Sequence, residues 1–537
     1  MIVNTLLDKG IQAAKSGELS LALDCFNQAI SLEPSSAILL NNRANVLLAL
    51  GLIDQALADY EIALRIDPLY INARRNRALT YMEHGHYEQA VRDWTELVAS
   101  PSDAGMSYLK RGICLHEMKQ YEASIADLER AAAYQPENLC ELYAMCADSW
   151  ELLEDVPQAI ANYKTAVELN PSYSVAHFNL GLLYDRMNLC DLALTHFRFA
   201  VAADASQTDA LYALAMAMLK NGDYANGWRV TQSRWKLPFL LKVRGRTDDL
   251  QWQEHGNVSN RTVLVCADQG LGDTLQFCRY SPLVRDKGAH VILIVPSALV
   301  SLLAHSFPAI QVISEGSDLP AFDYQCSVMN LPLVCGTESI EKIPAQMPYL
   351  YSDSAKRQVW RERLDRHLGG KSKRRVGLVW SGGYRPDQPE VWSLNERRNI
   401  PLIKLAGLKH PNIDFISLQK GEQAEQELVD LQAQGWDGPI VTSYSERLQD
   451  FSDTAALIDN LDLVIAVDTS TIHLAGAMGK PVWILNRFDA CWRWLYGQDS
   501  SRSDSPWYPT ARLFRQPKDG DWESVVSEVR QALFEMV

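Results

Sequence analysis

Residues 19–34 read LSLALDCFNQAISLEP, and residues 53–68, 34 positions later, read IDQALADYEIALRIDP. Both segments place alanine, an aromatic residue, alanine and proline in the same columns. Small residues let two helices cross closely, the aromatic ring fills the remaining space, and proline ends the second helix. The period therefore predicts a solenoid of about seven helix pairs over residues 1–235. The first two columns contain Ala22, Ala56, Ala90, Ser124, Ala159, Ala193 and Gly227, and Phe26, Tyr60, Trp94, Leu128, Tyr163 and Phe197.

The 34-residue pattern resembles the tetratricopeptide repeat (TPR), whose solenoids present a concave groove. The groove-facing sixth position of a repeat carries Asn42, Asn76 and Asn179. Each amide offers a donor and an acceptor, so a row of them can bind an extended peptide backbone. The row resembles the asparagine ladder of the O-GlcNAc transferase arm, which implies a protein acceptor in the groove. The alternative is that asparagine is simply common at this position.

Composition and charge exclude several classes of protein. The formal net charge is -15, from 51 basic and 66 acidic residues, and no long basic run suits a nucleic acid. The most apolar stretch, Val291 to Ala304, is interrupted by Pro296 and is shorter than the roughly 20 residues of a membrane span. Ten cysteines without CxxC pairs favour a reducing, cytoplasmic location. Eleven histidines without paired metal spacing lead us to expect no metal.

Beyond a polar connector at 236–260, apolar β-rich runs alternate with helical patterns, which is typical of parallel sheets covered by helices. A basic, glycine-containing stretch at 369–375 divides these runs into two halves, and a helix is expected at Trp522–Met536. In the first half we predict strands at Thr262–Cys266, His290–Val295, Gln311–Ile313 and Tyr324–Met329. In the second half we predict strands at Val376–Trp380, Asp414–Leu418, Ile440–Thr442, Asp462–Val467 and Pro481–Leu485.

The predicted fold class is an α-helical TPR solenoid followed by an α/β pair of Rossmann-like domains. Two such domains facing across a cleft form the GT-B arrangement of glycosyltransferases, although the same pair serves other chemistries. The expected divisions are the solenoid (1–235), the connector (236–260), an acceptor-side half (261–370), a donor-side half (371–520) and a final helix (521–537).

The first predicted strand leads into a loop and helix that read DQGLGDTLQF (268–277). Two glycines directly after a strand allow a tight turn and a close approach of substrate to backbone. The loop resembles that of the heptosyltransferase-like glycosyltransferases. The resemblance implies that Asp273 is the general base and that Gly270, Gly272 and Gln276 belong to an acceptor loop. The alternative is that Asp273 only caps its helix.

The second half opens with a strand that ends in a small-residue loop containing Ser381 and Gly382. Backbone N–H groups in such a loop suit a diphosphate. By resemblance to the same transferases, Arg398 and Lys420 are expected near the donor. The alternative is that both are solvated surface charges. We also expect Arg398 to precede a helix beginning at Leu402.

The stretch DTSTIHLAGAMGKPV (468–482) follows another predicted strand. Free N–H groups and hydroxyl side chains at the start of a helix suit a pyrophosphate. The heptosyltransferase-like family carries Asp-Thr-small-x-x-His-Leu-Ala here, which implies that this loop binds the nucleotide donor. Capping alone is the alternative for the hydroxyl residues, and His473 either orients the donor phosphate or packs in the core. The implied donor residues are Asp468, Thr469, Ser470, Thr471 and His473.

Further residues extend the resemblance to bacterial proteins that fuse TPRs to such a transferase: Gly227-Trp228, Arg234-Trp235, CWRW (491–494) and Trp507-Tyr508. The resemblance implies an inverting, metal-independent hexosyl- or heptosyltransferase without a cofactor. It would move a sugar from a nucleotide diphosphate donor to an acceptor hydroxyl, on a protein such as flagellin. The alternatives are a lipid or polysaccharide acceptor, and a non-catalytic TPR scaffold.

Overall fold

The computed structural model describes residues 1–101, 103–236, 252, 256–370, 372–383 and 392–536. The chain divides into two compact units, residues 1–180 and 181–537. The second unit combines the last helix pairs with the α/β region. Most of the predicted connector, 236–260, lies outside the described residues. No helix in the described part of the chain is long and apolar enough to cross a membrane.

Within the described part of residues 1–236, fourteen helices form seven consecutive pairs, as the 34-residue period predicts, and a 3₁₀ helix follows at Thr231–Lys236. The small and aromatic columns meet inside the pairs. A Cβ at Gly181, for example, would lie 2.5 Å from the Phe197 ring. The helices are α1 Ile2–Lys15, α2 Leu19–Leu32, α3 Ala37–Ala49, α4 Ile53–Ile66, α5 Ile71–Glu83, α6 Tyr87–Leu97, α7 Ala104–Glu117, α8 Tyr121–Ala132, α9 Leu139–Leu152, α10 Val156–Leu169, α11 Ser174–Arg186, α12 Cys190–Ala203, α13 Thr208–Lys220 and α14 Tyr224–Val230.

Three consecutive repeats carry the same ion pair between their two helices, which sequence analysis did not single out. In each pair the guanidinium donates two hydrogen bonds of 2.6–2.8 Å to an aspartate that is at most 6% exposed. These hydrogen bonds are the main reason that the pKa of each arginine is raised. Bidentate geometry fixes the pairing of the helices as well as neutralising the carboxylate. The pairs are Arg43–Asp59, Arg77–Asp93 and Arg111–Asp127.

The described part of residues 256–370 forms a sheet of four parallel strands in the order β3-β2-β1-β4. Apolar, mostly β-branched residues fill the central strands, and their side chains are almost completely buried. The strands are β1 Thr262–Cys266, β2 His290–Val295, β3 Gln311–Ser314 and β4 Tyr324–Ser327. The helices are α15 Leu271–Phe277, α16 Ser281–Asp286, α17 Ser297–Ser306, α18 Leu331–Val334 and α19 Ser354–Leu368.

The described part of residues 372–536 forms a second sheet of six parallel strands in the order β10-β9-β8-β5-β6-β7. The final helix has the predicted bounds. The strands are β5 Arg374–Val379, β6 Ile413–Ser417, β7 Val441–Ser443, β8 Leu463–Val467, β9 Val482–Asn486 and β10 Ala511–Arg515. The helices are α20 Trp392–Arg398, α21 Glu422–Ala433, α22 Phe451–Ile458, α23 Ser470–Ala477 and α24 Trp522–Met536.

Both sheets follow the strand order of Rossmann-type folds, in which the chain reverses direction across the sheet beside its first strand. The reversal lies between β1 and β4 in the first sheet and between β5 and β8 in the second. Ligands of open α/β sheets bind outside the carboxyl ends of the strands at such a point. The loops after β1, β5 and β8 therefore occupy the positions where a ligand site is expected.

Several predicted element bounds were wrong. The strand predicted over Tyr324–Met329 ends at Ser327, whose hydroxyl accepts the Met329 N–H at 3.0 Å and begins a 3₁₀ turn. Residues Leu402–Leu408 form a 3₁₀ helix, and Arg398 is the last residue of α20, a helix that was not predicted. Strand β10 was also missed. The remaining strands lie within two residues of their predicted bounds.

Candidate active site

The loop after β1 and the loop after β8 meet, because helices α15 and α23 pack against each other. The contact requires glycine at 272. A Cβ built there would lie 2.8 Å from His473 Cδ2 and 3.5 Å from the Ser470 Cα. The glycine thus has a packing role in addition to the turn proposed from the sequence. Loops at the direction reversals of the two sheets form one continuous group of residues.

Asp273 lies in the first turn of α15 and uses both carboxylate oxygens. Oδ2 accepts the Gly270 N–H at 3.1 Å, which is the capping contact anticipated as the alternative to catalysis. Oδ1 forms an ion pair with Arg493 from the segment that follows β9. The side chain of Asp273 is 19% exposed. The carboxylate is therefore a helix cap and one half of an ion pair that joins α15 to the second sheet's loops.

Arg493 is a site residue that sequence analysis noted in CWRW but gave no role. Its Nε donates to Gln276 Oε1 at 2.5 Å and one terminal nitrogen donates to Cys491 Sγ at 2.9 Å. The guanidinium lies 4.5 Å from the ring centre of Trp492. Burial alone would lower the pKa of Arg493, but Cys491 and Asp273 raise it overall. The residue remains a cation and gathers two predicted site residues, Asp273 and Gln276, on its guanidinium.

The loop after β8 holds the strongest motif of the sequence. Asp468 Oδ2 accepts the Trp494 indole N–H at 2.8 Å, and its backbone oxygen accepts an Arg398 N–H at 3.1 Å. Thr469 is the N-cap residue of α23, but its side chain does not cap the helix, and its buried Oγ1 has no hydrogen-bond partner. Ser470 and Thr471 form the first turn of α23. A buried hydroxyl without a partner suits a ligand that supplies an acceptor.

His473 is buried below this loop. Its Nδ1 is 2.8 Å from the Tyr508 hydroxyl, its Nε2 is 3.9 Å from Asp468 Oδ1, and its ring stacks on Trp494. Burial, assisted by the charge of Arg493, lowers the pKa of His473 to about 3. The imidazole is therefore neutral at physiological pH, and its hydrogen bond to Tyr508 fixes the ring in place.

The loop after β5 lies next to the β8 loop, but the N–H groups of Ser381 and Gly382 already have partners. Gln419 Oε1 accepts the Ser381 N–H at 3.1 Å, and Asn399 Oδ1 accepts the Gly382 N–H at 2.8 Å. A Cβ at Gly382 would overlap the Arg398 guanidinium, at 1.9 Å from one nitrogen. Gly382 and Arg398 are therefore brought together with Asp468, while the predicted free N–H groups for a diphosphate are occupied within the protein.

Lys420 follows β6, and its Nζ donates to the Ser445 carbonyl at 2.7 Å. This contact ties the exposed lysine to the loop after β7 and not to Arg398 or Asp468. The structure therefore does not place Lys420 on the group of residues around α23.

A second buried arginine supports the loop after β1. Arg234, in the 3₁₀ helix after the repeats, donates to Asn330 Oδ1 at 2.6 Å and Ser327 Oγ at 2.9 Å, and pairs with Asp268 Oδ2 at 3.3 Å. Burial raises the pKa of Asp268, and Arg234 partly offsets that effect. The end of the solenoid is thus fixed to the carboxyl ends of β1 and β4.

The three groove asparagines all donate hydrogen bonds within the protein. Asn42 Nδ2 bonds the Ile38 carbonyl at 2.8 Å. Asn76 Nδ2 bonds two neighbouring asparagine side chains at 3.0 and 3.1 Å. Asn179 Nδ2 bonds Asp148 Oδ1 at 3.2 Å and the Tyr163 hydroxyl at 3.1 Å. Each amide is half-buried. The amide nitrogens of all three side chains are therefore engaged within the protein.

Two models of tetratricopeptide repeats match the chain, one over residues 7–71, 75–138 and 180–227 and the other over residues 153–188. The N-terminal solenoid is built of tetratricopeptide repeats. Among solved structures, the TPR protein YrrB, described as having an unusual peptide-binding site, aligns with a TM-score of 0.31 at 23% identity, over 35% of this chain and 96% of YrrB.

Two curated relatives are similar to longer parts of the chain. Protein FlbA of Caulobacter vibrioides is 25% identical over 446 residues, which are 78% of this chain and 71% of FlbA. The probable UDP-N-acetylglucosamine–peptide N-acetylglucosaminyltransferase SPINDLY of Eustoma exaltatum is 26% identical over 228 residues, 36% of this chain. The chain spans only 25% of the SPINDLY length.

Proposed function

We propose that the protein is a glycosyltransferase that moves a sugar from a nucleotide diphosphate donor to an acceptor hydroxyl. One observation supports the proposal most strongly: helices α15 and α23 pack directly against each other. Helix α15 follows β1 and helix α23 follows β8, and each of these strands lies where the strand order of its sheet reverses. A two-substrate transfer needs a donor loop and an acceptor loop within reach of each other. We assign residues 261–370 to the acceptor side and 371–520 to the donor side of a GT-B pair.

The donor's diphosphate is proposed to bind at the start of α23. The helix offers N–H groups and the positive end of its dipole, and the unpartnered Oγ1 of Thr469 offers a further donor. Ser470 and Thr471 would add hydroxyls, and Arg398, bonded to the backbone of Asp468, would add positive charge. The backbone N–H groups of Ser381 and Gly382 would bind the donor only after their hydrogen bonds to the side chains of Gln419 and Asn399 had broken.

The proposed reaction is a direct, inverting displacement without a metal. Asp273 takes the proton of the acceptor hydroxyl while the oxygen of that hydroxyl forms a bond to the sugar C1. The bond between C1 and the phosphate oxygen breaks, and its electron pair leaves with the nucleoside diphosphate. Arg398 and the N-terminus of α23 stabilise the charge that develops on this leaving group.

A protein acceptor in the TPR groove is the proposed substrate class. The SPINDLY similarity supports it, since the name of that relative describes transfer to a peptide. Asn42, Asn76 and Asn179 are the proposed contacts to the acceptor backbone. A lipid or polysaccharide acceptor is the enzymatic alternative, in which the repeats would only recruit partners.

A TPR scaffold is the second candidate function, and two arrangements in the structure favour it. Both oxygens of Asp273 are engaged, and the N–H groups of Ser381 and Gly382 are bonded to side chains. A protein that binds partners but no nucleotide would tolerate both arrangements.

Calorimetric titration of the full chain with UDP, GDP, ADP, CMP and dTDP separates the two functions. The proposed glycosyltransferase binds one of the four diphosphates with a defined stoichiometry, whereas CMP, a monophosphate, serves as the control. A scaffold binds none of them, and that result would contradict the proposal.

A further inference from the structure

Arg493 contacts both sides of the candidate site, and the proposed mechanism gives this cation no role. The guanidinium pairs with Asp273 on the acceptor side. On the donor side it lies close enough to Asp468 for that carboxylate to raise its pKa, and close enough to His473 to lower that of the imidazole. One cation is thus shared between the proposed base and the proposed donor loop.

An acceptor hydroxyl must reach a carboxylate oxygen before it can give up its proton. In the structure Arg493 holds Oδ1 of Asp273 and the Gly270 N–H holds Oδ2. Catalysis by Asp273 therefore requires that Arg493 give up the pair at some point before proton transfer.

A diphosphate is the natural competitor for this guanidinium. It carries more negative charge than one carboxylate, and its oxygens match the planar donors of arginine. The buried amide of Gln276 adds a second indication of a missing acceptor. Its Oε1 is held by Arg493, whereas its Nε2 has no hydrogen-bond partner although the residue is fully buried.

We infer that Arg493 transfers its ion pair from Asp273 to the donor diphosphate when the nucleotide sugar binds, so that Asp273 is released as a base only in the donor complex. The inference rests on the proposed glycosyltransferase function. It adds an order to the reaction: the donor binds first, and the acceptor then meets an active base. Trp492 lies against the guanidinium at 4.5 Å and keeps it in the site during the exchange.

Other titratable groups also lie near Asp273. Tyr212 of α13 and Asp268 of the same loop both interact with it electrostatically. His473 packs against the adjacent Gly272 from α23. An experiment must therefore isolate the contribution of Arg493 by substitution.

The test is a double-mutant cycle on the affinity of the full chain for inorganic pyrophosphate. If the diphosphate displaces Asp273 from Arg493, Asp273→Asn should raise the affinity of the parental protein, because the guanidinium is no longer held by a carboxylate. In the Arg493→Met background the same substitution should leave the affinity unchanged. Equal effects of Asp273→Asn in the two backgrounds contradict the inference.

A binding measurement distinguishes failure of this inference from failure of the proposed glycosyltransferase function. Inorganic pyrophosphate and the nucleoside diphosphate found by the screen are titrated into each variant, and Arg493→Met should bind both at least tenfold more weakly. The matched control is Arg375→Met, which removes another buried arginine, paired with Asp365, and should keep parental affinity. Equal affinity in Arg493→Met refutes the inference alone. Absence of binding by the parental protein refutes the proposed function and the inference with it. If Arg493→Met does not fold, Arg493→Gln, which also removes the charge, provides the same comparison.

Discussion

Gly272 lies against His473 so closely that a single added carbon would be 2.8 Å from the imidazole Cδ2. The imidazole has little freedom to move away, because Tyr508 holds its Nδ1 and Trp494 stacks on its ring. Gly272 and His473 therefore set how closely α15 packs against α23. The contact explains why glycine is needed at the second residue of α15, where His473 of α23 packs against it.

Substitution of Gly272 by alanine should therefore weaken the packing of α15 on α23. We expect a loss of about 1–3 kcal/mol in the free energy of unfolding, the usual cost of overpacking a core. Urea denaturation measures it. Gly407→Ala is the control, since its new Cβ would lie 3.9 Å from Val526 in ordinary contact. Equal stability of the two variants would show that the helices can separate freely.

Thr469→Val should separate ligand binding from stability. The hydroxyl is buried without a partner, so its removal should leave the melting temperature unchanged or raise it. Nucleotide affinity should fall about tenfold or more, because a hydrogen bond to a charged group contributes about 1.5–3 kcal/mol. Thr454→Val, whose hydroxyl bonds a backbone carbonyl in α22, is the control. Unchanged affinity in calorimetry would remove Thr469 from the donor site.

The stability of the protein should fall in mild acid through His473. The pKa of the folded imidazole is lowered to about 3, whereas an unfolded histidine titrates near 6.5. Below about pH 6.5 the unfolded chain binds a proton at this histidine that the folded chain does not bind. The free energy of unfolding should therefore decrease by up to ~1.4 kcal/mol per pH unit as the pH falls below that value.

Replacement of His473 by asparagine should remove this contribution. Urea midpoints measured from pH 7.5 to 4.5 should fall less steeply for His473→Asn than for the parental protein. His290→Asn, at an exposed position at the start of β2, controls for the loss of a histidine elsewhere. Parallel slopes in all three proteins would show that His473 titrates in the folded state.

The groove hypothesis predicts that alanine at Asn42, Asn76 and Asn179 together raises the KM for a protein acceptor. Each neutral hydrogen bond contributes only about 0.5–1.5 kcal/mol, so three substitutions are needed for a clear effect. Because Asn76 and Asn179 also bond neighbouring side chains, the melting temperature must be measured alongside. Asn72→Ala, at an exposed position of α5, is the control. An unchanged KM in the triple variant would contradict the ladder.

The fold could be predicted from the sequence to a large extent because its signals are local or repeated. The TPR columns recur every 34 residues, and the buried strands are continuous apolar runs such as Thr262–Cys266. Strand β10 was missed because Ala511–Arg515 contains two arginines and lies at the sheet edge, where only part of the strand is buried.

The site was predictable only in part, because its decisive contacts join residues far apart in the chain. The glycine and hydroxyl motifs located the loops after β1 and β8. No spacing rule connects Asp273 with Arg493, which are 220 residues apart. The hydrogen bonds of the Ser381 and Gly382 N–H groups could not be predicted either, because their acceptors, Gln419 and Asn399, lie on other segments of the chain.

Replacement of Asp273 by asparagine tests whether this carboxylate is the base of a sugar transfer. The full chain, or its Asp273→Asn variant, is co-expressed with a candidate surface protein such as flagellin, and the intact mass of that protein is determined. Asparagine can still accept the Gly270 N–H and leaves the nucleotide loop in place, so the variant should keep its fold and bind the nucleotide at least as tightly as the parental protein. We predict that the parental enzyme adds the mass of one or more sugars and that transfer by the variant falls roughly 100-fold or more. Equal glycosylation by both proteins would contradict the account.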